Sequence, residues 1–473
     1  MFACRSLIAL ALFALPLAAA EKVSFFKDVR PIFQQNCQGC HQPAKAQGGY
    51  VMTEHAAMLK QGDSGKPGIA PGKPKESYLL NEIRVHEGKS EMPKNGTPLT
   101  KDQFTLIERW IVEGAADDTP ASANAKLIDA EHPPVYQSPP VVTSLAFSPK
   151  GEWLAVAGYH EVLLYSTGDW KLEARLVGLS ERVQSVAFSP DGKLLAAAAG
   201  DPGRFGEVQI WDVAMRKLKV SAPLTFDTVY GASWSPDGKL VAVGCIDNTV
   251  RAIDPATGKQ ALQMGTHSDW VLGTVFSQDG QHLASVSRDM SMKLTEVATQ
   301  RFVDNVTSIT PGALKGGLIC LDIRPIAEKK MAKVSPDTPD APARNYDELL
   351  VGGADGIPRL YKMHRETKRV IGDDANKIRQ FDPVIGRISA LKFDREGKRF
   401  ASASGLDGAG EVAIFEAETG KKLNKAEKVS GPAFAVAWSP DGKRLASSGF
   451  DGKVWLHDPA TGKLVNEFLV MPK

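Results

Sequence analysis

The stretch Asn36–Pro43, NCQGCHQP, sets Cys37, Cys40 and His41 in the pattern CxxCH. The whole chain of 473 residues holds only five cysteines and nine histidines, so these types rarely meet by accident. Two thiols at this spacing suit thioether bonds to a haem, and a histidine directly after the second brings its imidazole under the iron. The pattern reads as the attachment site of one covalent haem c. Haem iron in an electron carrier needs a second axial ligand from elsewhere in the chain. Met92, in EMPKNGTPLT, is the best candidate: a loop methionine followed by Pro93, which stiffens the loop. A methionine ligand raises the reduction potential relative to histidine. His55 and His86 keep a bis-histidine arrangement open. Zinc held by Cys37, Cys40, His55 and His86 competes, but structural zinc sites pair two close-spaced half-sites and these histidines stand far apart. Met52 and Met58 lie in an apolar stretch and read as core.

The elements that position these residues are helices. In SFFKDVRPIFQQN, Phe26, Val29, Ile32 and Phe33 fall at helical spacing, with Pro31 limiting where the first turn begins. In LTKDQFTLIERWIVEG, Thr100 and Gln103 form a capping box, Phe104, Ile107 and Ile111 share a face, and Gly114 stops the helix. Packing through Phe33, Phe104 and Trp110 would shield one haem edge.

Four blocks, VSFFKDVRPIFQQNCQGCHQP, QGGYVM, GDSGKPGIAPGKPKESYLL and EMP followed by PLTKDQFTLIERWIVEGA, resemble in order the segments of the planctomycete-type cytochrome c domain, over about residues 23–115. The resemblance implies a small all-α domain with a single haem c, Cys37 and Cys40 bonded, His41 proximal and Met92 distal. Lys94 stands where that family usually has a second proline after Met-Pro.

From residue 141 a phrase recurs: AFSPKGEWLAVAG, AFSPDGKLLAAAA, SWSPDGKLVAVGC, VFSQDGQHLASVS, KFDREGKRFASAS, AWSPDGKRLASSG. Each is an apolar strand, a tight turn around glycine and a second apolar strand. Gly151, Gly192, Gly238 and Gly280 are 41, 46 and 42 residues apart, and Gly397 and Gly442 are separated by 45. That period marks a β-propeller. A third strand follows in seven places, from EVLLYST to KVWLHDP, and the last unit carries an outer strand of its own, KLVNEFLV. The fifth unit is interrupted by a charged, proline-rich insertion over 326–347, expected as a surface loop. These units resemble WD repeats over about residues 140–473. The Trp-Asp pair appears once, at Trp211-Asp212, and Gly-His only as Thr266-His267.

Outside the CxxCH site, chemistry is sparse. DPATGK occurs at 254–259 and 458–463 and EAETGK at 416–421; all three sit after strands and read as hairpin turns, not phosphate loops. His132, His160, His267, His282, His364 and His457 are scattered singly. His267 reads as a structural hydrogen-bonding residue ahead of an inner strand. Cys245 and Cys320 lie in apolar strand-like runs and read as buried small hydrophobes.

The first twenty residues, with Arg5, an apolar run from Leu7 to Leu17 and Ala18–Ala20, read as a secretory signal peptide cleaved after Ala20. The run is shorter than the ~20 residues a membrane span needs, so the mature protein is expected to be exported or periplasmic, without a membrane span. A net charge of +2 with mixed signs offers no concentrated basic surface for nucleic acid. The expected organisation is a signal peptide (1–20), an all-α cytochrome c domain (21–116), an Ala/Pro-rich linker (117–139) and an all-β seven-bladed WD-repeat-like propeller (140–473). The expected function is single-electron transfer by one covalent haem, with the propeller docking a redox partner protein. The alternative is a two-domain oxidoreductase, similar in domain order to nitrite reductases, whose propeller holds a second cofactor or a substrate site.

Overall fold

The computed structural model describes residues 22–42, 45–94, 96–120, 128–310, 313–325, 347–370 and 372–472. The expected signal peptide, the middle of the linker and nearly all of the 326–347 insertion lie outside the described residues.

The amino-terminal part is built from four short helices: α1 (Arg30–Asn36), α2 (His55–Met58), α3 (Tyr78–Ile83) and α4 (Lys101–Val112). A single wide π-turn, Phe25–Val29, leads into α1, and Pro31 sits in the first turn of α1, where its missing N–H leaves nothing unpaired. This turn puts Phe25 on the buried stripe with Val29, Ile32 and Phe33. Phe26, the residue expected there, is half-buried and carries the Arg30 guanidinium over its ring. α4 begins as expected: Thr100 Oγ1 accepts from the Gln103 amide at 3.2 Å, and the Gln103 side chain accepts from the Thr100 amide at 3.0 Å. Ile107, Trp110 and Ile111 are buried from α4, and the Trp110 ring stacks on Phe25 at 5.2 Å and meets Phe33 edge-on at 6.3 Å. Burying each such apolar side chain contributes roughly 1.5–3 kcal/mol.

This part is not all-α. The strands His41–Gln42 and Lys45–Ala46 pair antiparallel, and isolated bridges join Gln61 to Pro67 and His86 to Lys89. The physical reason is the space it encloses: a chain wrapped around a large cavity must turn often. Gly- and Pro-rich loops therefore replace the helix that the apolar stretches would otherwise continue.

The rest is antiparallel sheet. Five four-stranded sheets, each built from consecutive strands, follow a seven-stranded sheet. The long strand Leu172–Phe188 explains the larger one. Residues 172–177 pair with Tyr159–Ser166 as a fourth strand, while 182–188 pair with Leu194–Asp201 as a first strand. Read through that strand, all described sheets have the same four-stranded plan. Their first strands lie side by side in chain order, and Ala433–Trp438 of the last returns beside Leu145–Phe147 of the first. Together they line a channel of about 850 Å³. Among the described residues the last sheet, ending in Leu464–Leu469, borrows no strand from elsewhere; the seam is held by packing and by the Val142 amide donating to the Gly449 carbonyl at 3.1 Å.

The recurring Ser-Pro-Asp-Gly turns have a local cause. Ser189 Oγ donates to Asp191 Oδ1 at 2.7 Å and accepts from the Leu194 amide at 2.9 Å, while Gly192 takes φ +73°. The same Ser–Asp bond recurs at Ser235–Asp237, Ser277–Asp279 and Ser439–Asp441. Glycine adopts that φ without the Cβ clash other residues meet, which is why it closes each of these turns.

The linker is tied down at both described ends. Asp118 Oδ1 accepts from the Phe26 amide at 2.8 Å, and the Pro134 carbonyl accepts from Arg175 at 2.7 Å. Cys245 is buried as expected. Cys320 is not: it lies on a first strand, Leu318–Ile323, half-exposed to the channel, because alternate side chains of such strands face that space. The two thiols stand on different sheets and are unpaired.

Candidate haem site

Helix α1 ends where the CxxCH turn begins. The Cys37 amide continues the helix by donating to the Phe33 carbonyl at 2.9 Å; the amides of Cys40 and His41 then both return to the Cys37 carbonyl at 3.1 Å. The loop so formed faces a cavity of about 900 Å³, lined by Cys37, Cys40 and His41, by Tyr50 and Met52, by α3, and by Met92–Pro93.

His41 is held from two sides. Its Nδ1 lies 3.2 Å from the Tyr50 carbonyl, and its ring meets the Tyr50 ring edge-on at 5.9 Å. With Nδ1–H donating to that carbonyl, Nε2 is the nitrogen that would ligate a metal, the usual division of labour in a ligating histidine. Tyr50 is fixed in turn by donating to the Met58 carbonyl at 2.6 Å. Gly68 lies so close under the Tyr50 ring that any Cβ there would overlap it. Met92 reaches the cavity from the loop after α3: its amide donates to the Glu82 carbonyl at 2.8 Å and its carbonyl accepts from Ser90 Oγ at 2.7 Å. Desolvation of the Cys37 thiol, with Cys40 close by, pushes its pKa up to about 12.

The structure thus brings Cys37, Cys40, His41 and Met92 to one cavity. It does not bring His55 or His86. His55 Nε2 lies 2.7 Å from the Ala115 carbonyl, and the ring packs edge-on against Phe25 and Trp110 in the core. His86 is exposed, in a bridge with Lys89. Among the described residues no three His, Cys, Asp or Glu side chains gather as a metal cluster, so the zinc arrangement has no geometry here. Met58 is core as expected. Met52 is equally buried yet also lines the cavity, its amide donating to the His41 carbonyl at 2.7 Å.

The residues present fit a haem. Two thiols share one loop, an imidazole and a thioether line the walls, and the volume falls within the ~300–1,000 Å³ of cofactor pockets. Gly39, Gly48, Gly62, Gly68 and Gly96 line the space with no side chain to fill it.

Two segments of the wall escape a linear reading. Ser221–Pro223, on the strand Lys217–Thr225, and Thr257–Gln260, at the first DPATGK turn, also line the cavity. The turn is a hairpin turn as expected, between Val250–Ile253 and Gln260–Met264. That it faces the cavity depends on how distant sheets are placed, and no neighbouring residue signals it. Tyr50 was also missed, since a lone aromatic in a glycine-rich stretch carries no ligand signal.

Two of the sheet histidines, His267 and His457, are held by hydrogen bonds inside the sheets. His267 Nδ1 lies 2.9 Å from Asp289 Oδ2 and its Nε2 2.9 Å from Ser285 Oγ, just ahead of the strand Val271–Phe276. Burial alone would raise the Asp289 pKa, but hydrogen bonds from His267 and Ser291 outweigh it and hold the carboxyl well below its ordinary range. His457 is buried on a third strand, its Nε2 2.8 Å from the Glu427 carbonyl.

Fold and site together define a cytochrome c-like segment joined to WD-type sheets. Residues 37–96 match the family described as planctomycete cytochrome C. WD domain, G-beta repeats match at 132–166, 170–204, 258–295 and 426–458, and the anaphase-promoting complex subunit 4 WD40 domain at 204–273. The chain therefore carries a planctomycete-type cytochrome c segment followed by WD repeats. It is similar to periodic tryptophan protein 2 of Saccharomyces cerevisiae, 25% identical over 60% of this chain and 30% of that protein. It is also similar to a WD repeat-containing protein 91 homolog of Dictyostelium discoideum, 28% identical over 23% of this chain and 14% of that protein. Actin-interacting protein 1 of Drosophila melanogaster is 46% identical over 12% of this chain and 9% of its own length. The chain thus spans under a third of each of these relatives. Among the described residues no helix is long and apolar enough to cross a membrane.

Proposed function

We infer that the protein is an exported single-electron carrier with one covalent haem c, and that its WD repeats form a closed seven-bladed propeller serving as a protein-docking platform. The observation that carries the reading is the convergence of Cys37, Cys40, His41 and Met92 on one cavity although Met92 lies far along the chain. When bound, the haem would supply a metal that cycles between two oxidation states without forming or breaking bonds to a substrate. The chain's own residues do the rest. Cys37 and Cys40 tether the group, and the Tyr50 carbonyl orients the His41 ring. The loop anchored at Glu82 and Ser90 presents the Met92 sulfur, a ligand that favours a higher potential than a second imidazole. Phe33 and Trp110 are buried in the helical core and do not line the cavity. The cyclic order of first strands supports the ring, and WD repeats commonly present such rings to partner proteins. The partner here would be a redox protein of the exported compartment.

The test is an optical redox titration of the full chain purified from a host that exports and attaches haem. One haem per chain should be found by mass and by stain. Met92→Ala should abolish the sulfur–iron charge-transfer band and lower the potential. A colourless protein with the mass of bare polypeptide overturns the reading; a pigmented Met92→Ala with unchanged spectrum moves the distal ligand to another residue.

A further inference from the structure

The far wall of the cavity belongs to the sheets, not to the cytochrome segment. A Cβ built on Gly39, between the two cysteines, would stand 2.7 Å from the Ser221 carbonyl oxygen and 3.0 Å from Pro223 Cδ. The CxxCH loop therefore lies flat on the strand Lys217–Thr225, with no room for a side chain. The first DPATGK turn locks onto the same strand: Gly258, at φ +75°, is seated so that a Cβ would come 2.8 Å from Val220 Cγ1. From behind, Ser221 Oγ donates to Glu207, a buried carboxylate that also accepts from Ser180 at 2.6 Å and Gln209 at 2.7 Å. The strand is thus pinned on both faces, and Lys259 stands exposed at the cavity rim.

We propose that this propeller edge, Ser221–Pro223 with Thr257–Gln260, is the second wall of the haem site and sets its reduction potential. The proposal rests on the haem reading above. Oxidised haem iron carries one more positive charge than reduced iron, and water stabilises the more highly charged state. A wall that keeps water from the thioether edge disfavours oxidation and raises the potential. Lys259, a positive charge at the rim, acts in the same direction. Ser221–Pro223 and Lys259 are positioning and tuning residues; they bind nothing covalently. The propeller would then both address the carrier and tune it, and its blades next to the haem would be unavailable to a partner.

The sequence contains an internal control. The second DPATGK turn, 458–463, has the same residues and the same glycine conformation, but its Gly462 packs on Asn424 and Lys425 and none of its residues lines the cavity. In full-length haem-loaded protein, Lys259→Glu should shift the oxidised/reduced equilibrium about threefold toward the oxidised form by simple charge reversal at the rim. Lys463→Glu should leave it unchanged. Gly39→Val, which wedges loop from strand, should shift it tenfold or more, about 59 mV for one electron, and speed amide exchange at Ser221–Leu224. Haem content is measured first, so a colourless wild type overturns the haem reading and is told apart from failure of the wall. Should Gly39→Val take up no haem, the two lysine variants decide. Equal potentials for Lys259→Glu and Lys463→Glu overturn the proposal.

Discussion

In residues 22–120 the buried side chains gather beside a cavity of about 900 Å³, held by helices of only 4 to 12 residues. From residue 142 onward each sheet closes its own ladder and packs on the next, with clusters of buried Ala, Val, Leu and Ile between them. Helices shorter than about 12–15 residues do not stand alone in water, so the first region depends on packing its helices through Phe25, Phe33, Ile107 and Trp110. The sheets lean on one another, and the strand Lys217–Thr225 also meets the CxxCH loop. The difference teaches that one chain can hold a part packed beside a large cavity and a part packed sheet against sheet.

The strongest way to break this comparison is to remove the tether. Cys37→Ser with Cys40→Ser should eliminate covalent pigment entirely and lower or abolish a helix-rich melting transition. The β-sheet transition, followed by far-ultraviolet circular dichroism, should hold. If both fall together, the regions fold as one unit and the comparison fails.

Two tryptophans sharpen it next. Trp110→Ala should destabilise the helical region by about 3–5 kcal/mol in denaturant titrations, since the ring is buried between Phe25 and Phe33 and its Nε1–H donates to the Ala116 carbonyl at 2.9 Å. Trp455, equally buried in the last sheet, has no hydrogen-bond partner for its Nε1 among the described residues. Trp455→Phe should therefore cost little beyond the lost ring, whereas Trp110→Phe should also lose its hydrogen bond, about 1 kcal/mol.

A smaller effect lies within the sheets and is read by pH. Burial pushes the Asp201 carboxyl up to about 6, with Glu181 and Glu207 adding to the rise and the Glu181 amide and Arg204 opposing it. A raised folded pKa means that the stability from this group is complete below pH ~4 and is lost as pH rises through about 6. Asp201→Asn should remove that loss, so its melting temperature should pull ahead of the wild type between pH 4 and 7. Asp289 has the opposite sign: its carboxyl is held low, and its contribution is lost only as pH falls below the ordinary carboxylate range. The smallest effect is Thr100→Ala, which removes the cap of α4 and should cost about 1 kcal/mol in the helical transition alone.

What could be read in the sequence was whatever is decided by near neighbours. The capping box at Thr100 and Gln103 and the Ser-Pro-Asp-Gly turns are built from bonds spanning two to five residues, and they stand where the pattern puts them. The exchange of Phe26 for Phe25 came from a single wide turn that helical spacing does not encode. Cys320 misled because an apolar run looks alike on a channel wall and in a core. The wall at Ser221–Pro223 and Thr257–Gln260 was illegible for a deeper reason: it depends on where whole sheets come to rest against the CxxCH loop. His41 and Met92 could be named from residue type, yet their meeting in one cavity is a property of the fold.

The unshared last sheet has a consequence for how such molecules grow. Since, among the described residues, the last sheet takes no strand from the first, each described sheet is finished by its own stretch of chain as synthesis proceeds. The packing across the seam and the clasp from Val142 to Gly449 then remain to be fastened. Duplication or deletion of one repeat would change the size of the necklace without rethreading any bead.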